Sequence, residues 1–135
     1  PEESSAMMLE THARVLGCGV QGLKLHPLMI VKGSTMAGQY ARGTLSPMPL
    51  AEYVATAAEL IRRTPGDVVF HRITASAREP MLIAPDWCHT RWPAADAICG
   101  DLSRNGGQAS HGGLCGTNPT VRLTVSRTAA SRSVA

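Results

Sequence analysis

The sequence predicts an α/β fold, and three observations carry that expectation. Stretches with apolar residues at helical spacing are interleaved with short stretches that alternate every second residue. The apolar fraction of 44% comes mainly from Ala, Leu, Val, Ile and Met, and aromatic residues make up only 4%, a helix-and-strand mixture rather than a sandwich. The chain of 135 residues is long enough for one domain with a core.

Ser4 or Ser5 is placed to cap a first helix, along which Met8, Thr11, Val15 and Leu16 recur at helical spacing until Gly17 and Gly19 end it. Over residues 22–26, Leu23 and Leu25 alternate with Lys24 and His26, a strand with unlike faces, and Pro27 limits its continuation. A helix followed by a strand is half of a βαβ unit, and residues 28–31 carry the chain away from the strand end. Ser34 caps a short helix running through Met36 and Tyr40 to Gly43. Beyond Pro47 and Pro49 comes the longest helix, whose Leu50, Tyr53, Val54, Ala57, Leu60 and Ile61 form one apolar stripe. Glu52, Glu59, Arg62 and Arg63 flank it, and Pro65-Gly66 stops it. Residues 68–73 read as a strand, 81–84 as a shorter one, and 90–105 as a last helix stopped by Gly106-Gly107. From Gln108 onward Ser, Thr, Gly and Arg dominate with little periodicity, which predicts a disordered tail over 108–135.

The formal charge is +3, with Arg and Lys scattered along the chain, so the electrostatic case for nucleic acid is weak. No stretch approaches the roughly 20 apolar residues that span a bilayer, and the start lacks the basic and apolar pattern of a signal peptide. Cys18, Cys88, Cys99 and Cys115 form no C-x2-C pair, which favours reduced thiols in a cytoplasmic protein over a zinc site or a disulfide scaffold. P-loop, G-x-G-x-x-G, G-x-S-x-G and H-E-x-x-H patterns are absent. Pro1 stands where an initiator methionine would, so the expectation is the C-terminal part of a larger enzyme.

Three clusters could carry chemistry. In a parallel barrel the outward strand face packs on helices, which would turn Lys24 and His26 inward, with His26 at the strand end where barrels place their active sites. There His26 could donate a proton or anchor a hydrogen bond, and Lys24 could hold a carboxylate or phosphate. Equally, Lys24 could pair with a barrel carboxylate and His26 donate to a backbone carbonyl. In the second cluster, Arg72 and Arg78 could grip an anion at two points, helped by Thr74 and Ser76, or could simply be a solvated strand end. The third, Asp86-Trp87-Cys88-His89-Thr90-Arg91-Trp92, contains metal-capable residues, but adjacent Cys88 and His89 are poorly spaced to chelate one ion. Packing of the two tryptophans is the better reading.

Read together, the segment 19–28 (Gly-Val-Gln-Gly-Leu-Lys-Leu-His-Pro-Leu) and Val31-Lys32-Gly33-Ser34 resemble the YhcC-type radical SAM family. So do Glu52-Tyr53, Thr64-Pro65, His71-Arg72-Ile73, Ala75-Ser76-Ala77-Arg78 and Ala84-Pro85-Asp86-Trp87-Cys88 with Arg91-Trp92, in the same order. The resemblance runs from Pro1 to about Gln108, and the segment after about His111 departs from it. It implies the C-terminal part of a partial β/α (TIM-like) barrel plus a small α/β extension, with residues 1–64 as the last barrel elements and 65–107 as the extension. It also implies a 4Fe-4S cluster on a C-x3-C-x2-C motif that this chain lacks. The cluster would cleave S-adenosylmethionine to a 5′-deoxyadenosyl radical, with electrons from a donor such as flavodoxin or ferredoxin. Pro1 and Glu3 match a Gly-Leu-Pro-Gly-Glu loop near the cosubstrate, with Glu2 in place of its glycine, so Glu3 is the cofactor-binding candidate. Lys24 and His26 match the following barrel strand, and Arg72 and Arg78 match the extension.

The chain alone is then expected to be inactive. The first rival is a non-catalytic binding module for RNA, such as tRNA, or for protein, with Arg72, Arg78, Arg122, Arg127 and Arg132 on phosphates. The second is a structural fragment with no independent fold, whose apolar stripe needs missing partners for burial.

Overall fold

Capping chemistry begins the first helix. In the computed structural model, which describes residues 3–109 of the chain, Ser4 is extended and its Oγ accepts the Met7 N–H at 3.3 Å, so that α1 runs Ser5–Gly17. After it come β1 (Gly22–Lys24), β2 (Ile30–Val31), α2 (Thr35–Ala41), α3 (Leu50–Arg62), β3 (Val69–Arg72) and β4 (Leu82–Ala84). A 3-10 turn (Asp86–His89) then leads into α4 (Trp92–Asn105). Ser34 caps α2 as its sequence position predicts, accepting from the Ala37 N–H, and Gly106 ends α4 at φ 95°. At 14 residues α4 is one longer than α3, contrary to the expectation for α3.

The stripe of α3 organises the main core. Tyr53, Ala57, Ala58 and Ile61 are buried with Ile98 and Leu102 of α4, and Leu25, Phe70, Ile73 and Trp87 close over them. Ala57 and Ala58, both nearly inaccessible, contribute only methyl groups to this core. Tyr53 is fastened at its polar end, its hydroxyl donating to the Ile73 carbonyl at 2.9 Å while its ring lies 5.0 Å from that of Trp87. Trp87 in turn donates its Nε1–H to the Met48 carbonyl. At the far end, Arg62 bonds both Glu59 and Asp101, linking α3 to α4; Arg63 and then Arg62 hold the Glu59 carboxyl below its usual range, and Arg62 does the same for Asp101.

β1 and β3 are parallel neighbours, so the chain between them makes a crossover that includes α3. The pair is what a βαβ reading of the sequence leads one to expect. β2 pairs antiparallel with β4, and Ile30, Leu45 and Ala84 form a second small core with Met36 and Ala37. Neither β2 nor the 3-10 turn is among the sequence expectations; both are too short to show a period. The α/β class stands, while the described residues supply two small sheets, short of a barrel. No helix among them is long and apolar enough to cross a membrane.

Residues 110–135, and with them nearly all of the expected tail and Val121-Leu123-Val125, lie outside the described residues. Gln108, the first residue of that tail, is docked: its Nε2 donates to the Pro65 and Val68 carbonyls at 2.6 and 2.7 Å.

α1 is held by one buried side chain, His12. Its Nε2 lies 2.9 Å from the hydroxyl of Thr64, which is fully buried just past the end of α3. The Thr64 hydroxyl donates its single proton to the Leu60 carbonyl at 2.7 Å, so Nε2 must carry the hydrogen and donate. Burial, together with nearby Arg63, lowers the His12 pKa from the ordinary 6.5. The unfolded chain therefore takes up this proton first as pH falls; the stabilisation is complete above the unfolded value and is lost progressively below it. Urea denaturation should show stability falling as the pH drops below about 6.5. His12→Gln, which keeps a donor but does not titrate, should flatten that slope, and an unchanged slope would refute the assignment.

Candidate functional site

The sheet of β1 and β3 has one covered face and one bare one. Leu25, Phe70 and Ile73 all turn toward the helices, although 70 and 73 are three residues apart and a regular strand would send them to opposite faces. The register explains this. Gly22 pairs with Val69 and Leu23 with Phe70, but Lys24 pairs with Arg72, a shift that leaves one extra residue on β3. The irregularity places two successive side chains, His71 and Arg72, at the exposed surface. A Cβ at Gly22 would lie 2.6 Å from His71 Nε2, so the imidazole rests over the glycine on the side from which Lys24 also projects. The bare face thus carries Lys24, His71 and Arg72, with Val69 57% exposed beside them.

At the strand end, the Leu25 N–H still bonds to the Arg72 carbonyl, and Pro27, which has no N–H, breaks the ladder. His26 Nδ1 lies 3.1 Å from the Pro27 carbonyl, which can only accept. Nδ1 therefore carries a hydrogen and donates to that carbonyl. The backbone bond weighed for His26 from sequence is thus present. His26 also lines a cleft of about 540 Å³ with Glu3, Glu52 and apolar walls from Met8, Leu25 and Trp87. That volume lies in the range of small-molecule sites.

The expected residues therefore separate. Glu3 and His26 meet at the cleft, and Lys24 and Arg72 meet on the sheet. Arg78 stands apart, in the turn before β4, where its carbonyl accepts from the Met81 and Leu82 N–H groups. Lys24, Arg72 and Arg78 make no ion pair among the described residues. Ser76 is exposed, but Thr74 is buried at 4%, so its hydroxyl cannot reach an anion outside. Sequence reasoning passed over Glu52 as a helix flank and gave His71, in the strand segment ahead of Arg72, no role of its own. The Glu52-Tyr53 and His71-Arg72 pairs of the family resemblance were the available signals.

In the third cluster Trp87 packs in the core, whereas Trp92 is 40% exposed with the Arg91 guanidinium 4.8 Å from its ring centre, so only one tryptophan packs as expected. Cys88 is fully buried, which pushes its thiol up to about 11, and adjacent His89 is exposed, so the two face different surroundings. Cys18, Cys88 and Cys99 are free, and no group of three potential metal ligands gathers among the described residues. Cys115, Arg122, Arg127 and Arg132 lie outside those residues, and with them much of the RNA-binding alternative.

The family described as Radical_SAM C-terminal domain matches residues 20–104. Over 110 residues the chain is 48% identical to Protein YhcC of Escherichia coli (strain K12), a match covering 82% of this chain and 36% of that protein. Over 106 residues it is 33% identical to Uncharacterized protein YtqA of Bacillus subtilis (strain 168), covering 78% of this chain and 33% of that one. The chain thus spans about a third of the length of the curated relatives it matches.

The glycine under the imidazole is open to test. Gly22→Ala should displace the His71 ring, read as shifted imidazole resonances. Because the clash is with a movable side chain, stability should change by less than about 1.5 kcal/mol. Unmoved His71 resonances would mean that the ring does not lie over β1.

Proposed function

The chain belongs to the Radical_SAM C-terminal domain family, and from that premise we propose that it is the closing section of a radical SAM enzyme, with the bare face of β1 and β3 lining the reaction chamber. The supporting observation is the one-sided burial of a parallel pair. Helices cover the face of Leu25, Phe70 and Ile73, as they cover the outside of a β/α barrel. Parallel sheets are otherwise covered on both faces. Further strands contributed by the remaining length of the enzyme would pair with the free edges and enclose the side bearing Lys24, His71 and Arg72. On this reading β3 is itself a barrel strand, and the boundary between barrel and extension falls after it rather than at residue 64.

In such an enzyme a 4Fe-4S cluster, reduced by a donor such as flavodoxin or ferredoxin, supplies the cleavage of S-adenosylmethionine to a 5′-deoxyadenosyl radical. Among the described residues the cysteines do not fit that cluster: Cys88 is buried, Cys18 is exposed just past α1, and Cys99 lies within α4. The cluster is held elsewhere in the enzyme, and this chain alone is inactive. What its residues contribute is positioning. Lys24 and Arg72 bind and orient substrate, and Arg78 approaches from the extension. His26, with Glu3 and Glu52, lines the cleft at the C-terminal end of β1, the end where barrels place their chemistry. Tyr53 and Trp87 close the floor of that cleft against water.

A chimera tests this reading, with residues 3–109 replacing the matching third of the E. coli relative. Val69→Cys, made together with Cys18→Ala, should react freely with a bulky maleimide in this chain and severalfold more slowly in the chimera. Equal reactivity in a folded chimera would sink the chamber assignment. After anaerobic treatment with iron and sulfide, the chimera supplied with S-adenosylmethionine and a reductant should release methionine and 5′-deoxyadenosine, whereas this chain alone should hold no stable cluster.

A further inference from the structure

Two cations stand side by side on the bare face of the β1–β3 ladder. Lys24 and Arg72 are register partners, so the strand spacing sets their backbones about 4.8 Å apart. Both are exposed, and neither has an ion-pair partner among the described residues. Like charges directly opposite one another weaken a ladder. The extra residue in β3 creates this arrangement, because regular alternation from Phe70 would send Arg72 to the helix-covered face. The His71 imidazole, lying over Gly22, adds a ring nitrogen on the same side.

We infer that this face is a two-cation site for a doubly charged oxyanion, a phosphate monoester or a dicarboxylate, carried by the enzyme's substrate. The Lys24 ammonium is a mobile point charge, and the Arg72 guanidinium offers paired donors in a fixed fork. An oxyanion between them turns the repulsion of the empty face into two charge-assisted contacts. The identification of the anion with substrate rests on the chamber reading, but the binding site requires only this chain.

The test is an amide NMR titration of the 135-residue chain with inorganic pyrophosphate and, separately, with succinate, at matched ionic strength with chloride as the reference. Either oxyanion should move the resonances of Lys24 and Arg72 and their strand neighbours, and chloride should not. Lys24→Gln with Arg72→Gln should weaken that binding by about tenfold or more, and Arg104→Gln, at an exposed arginine of α4, should leave it unchanged. If the double variant does not fold, Arg72→Gln alone gives the answer. A response to pyrophosphate only identifies a phosphate source, a response to succinate only a carboxylate source, and both outcomes uphold the site. Silence at the strands with both oxyanions, or an equal loss in Arg104→Gln, overturns it. Failure of the chamber reading would look different: oxyanion binding intact here, with Val69→Cys unprotected in the chimera.

Discussion

Burial of the α3 stripe is the interaction on which the rest of the structure depends. Tyr53, Ala57, Ala58 and Ile61 present one continuous surface to which α4 contributes Ile98 and Leu102, β1 leads into Leu25, and β3 brings Phe70 with Ile73 just beyond it. Burying such side chains is worth about 1.5–3 kcal/mol for each large one, whereas the exposed helix-surface ion pairs contribute a fraction of that. α1 depends on the same helix at one remove, through His12 and the Thr64 hydroxyl at its C-terminal end. Without α3, the cluster that covers one face of both strands would lose four of its six buried residues.

The covered face determines what the other face can be. The need to bury both Phe70 and Ile73 against α3 is met by an irregular step in β3, and that step leaves His71 and Arg72 together at the surface. Packing on one side of the sheet thereby sets the chemistry of the other. Gly22 completes the arrangement, since any side chain there would occupy the space of the His71 ring. The cleft arises from the same elements: Pro27 ends the ladder, His26 bonds back to the Pro27 carbonyl, and Glu52 in the first turn of α3 reaches the opening where Glu3 leads into α1.

Much of this was legible in local pattern. The serine caps of α1 and α2 act through bonds between residues a few positions apart, and the glycine after α4 through its own positive φ, so their sequence positions predict the helix limits. The alternation of Leu25 with Lys24 and His26 likewise separated a covered face from an exposed one before any partner strand was known. β2 was not legible, because two residues have no period and pair only when β4 arrives. The grouping of Arg72 with Arg78 followed nearness in sequence, whereas the ladder sets Arg72 beside Lys24. Trp92 looked like a second anchor because composition cannot tell a buried indole from one under a guanidinium at the surface.

The sequence by itself determined the α/β class, the helices and their limits, and the family, because periodicity, capping and ordered motifs are properties of neighbouring residues. Only the tertiary structure decided which charged groups share a surface, through the register of β1 against β3 and the extra residue within it. It also decided that His26 donates from Nδ1 and His12 from Nε2. The physical reason is the same in each case: the deciding partner lies in the folded surroundings, whether a carbonyl, a hydroxyl or a strand, and a local pattern carries no record of it.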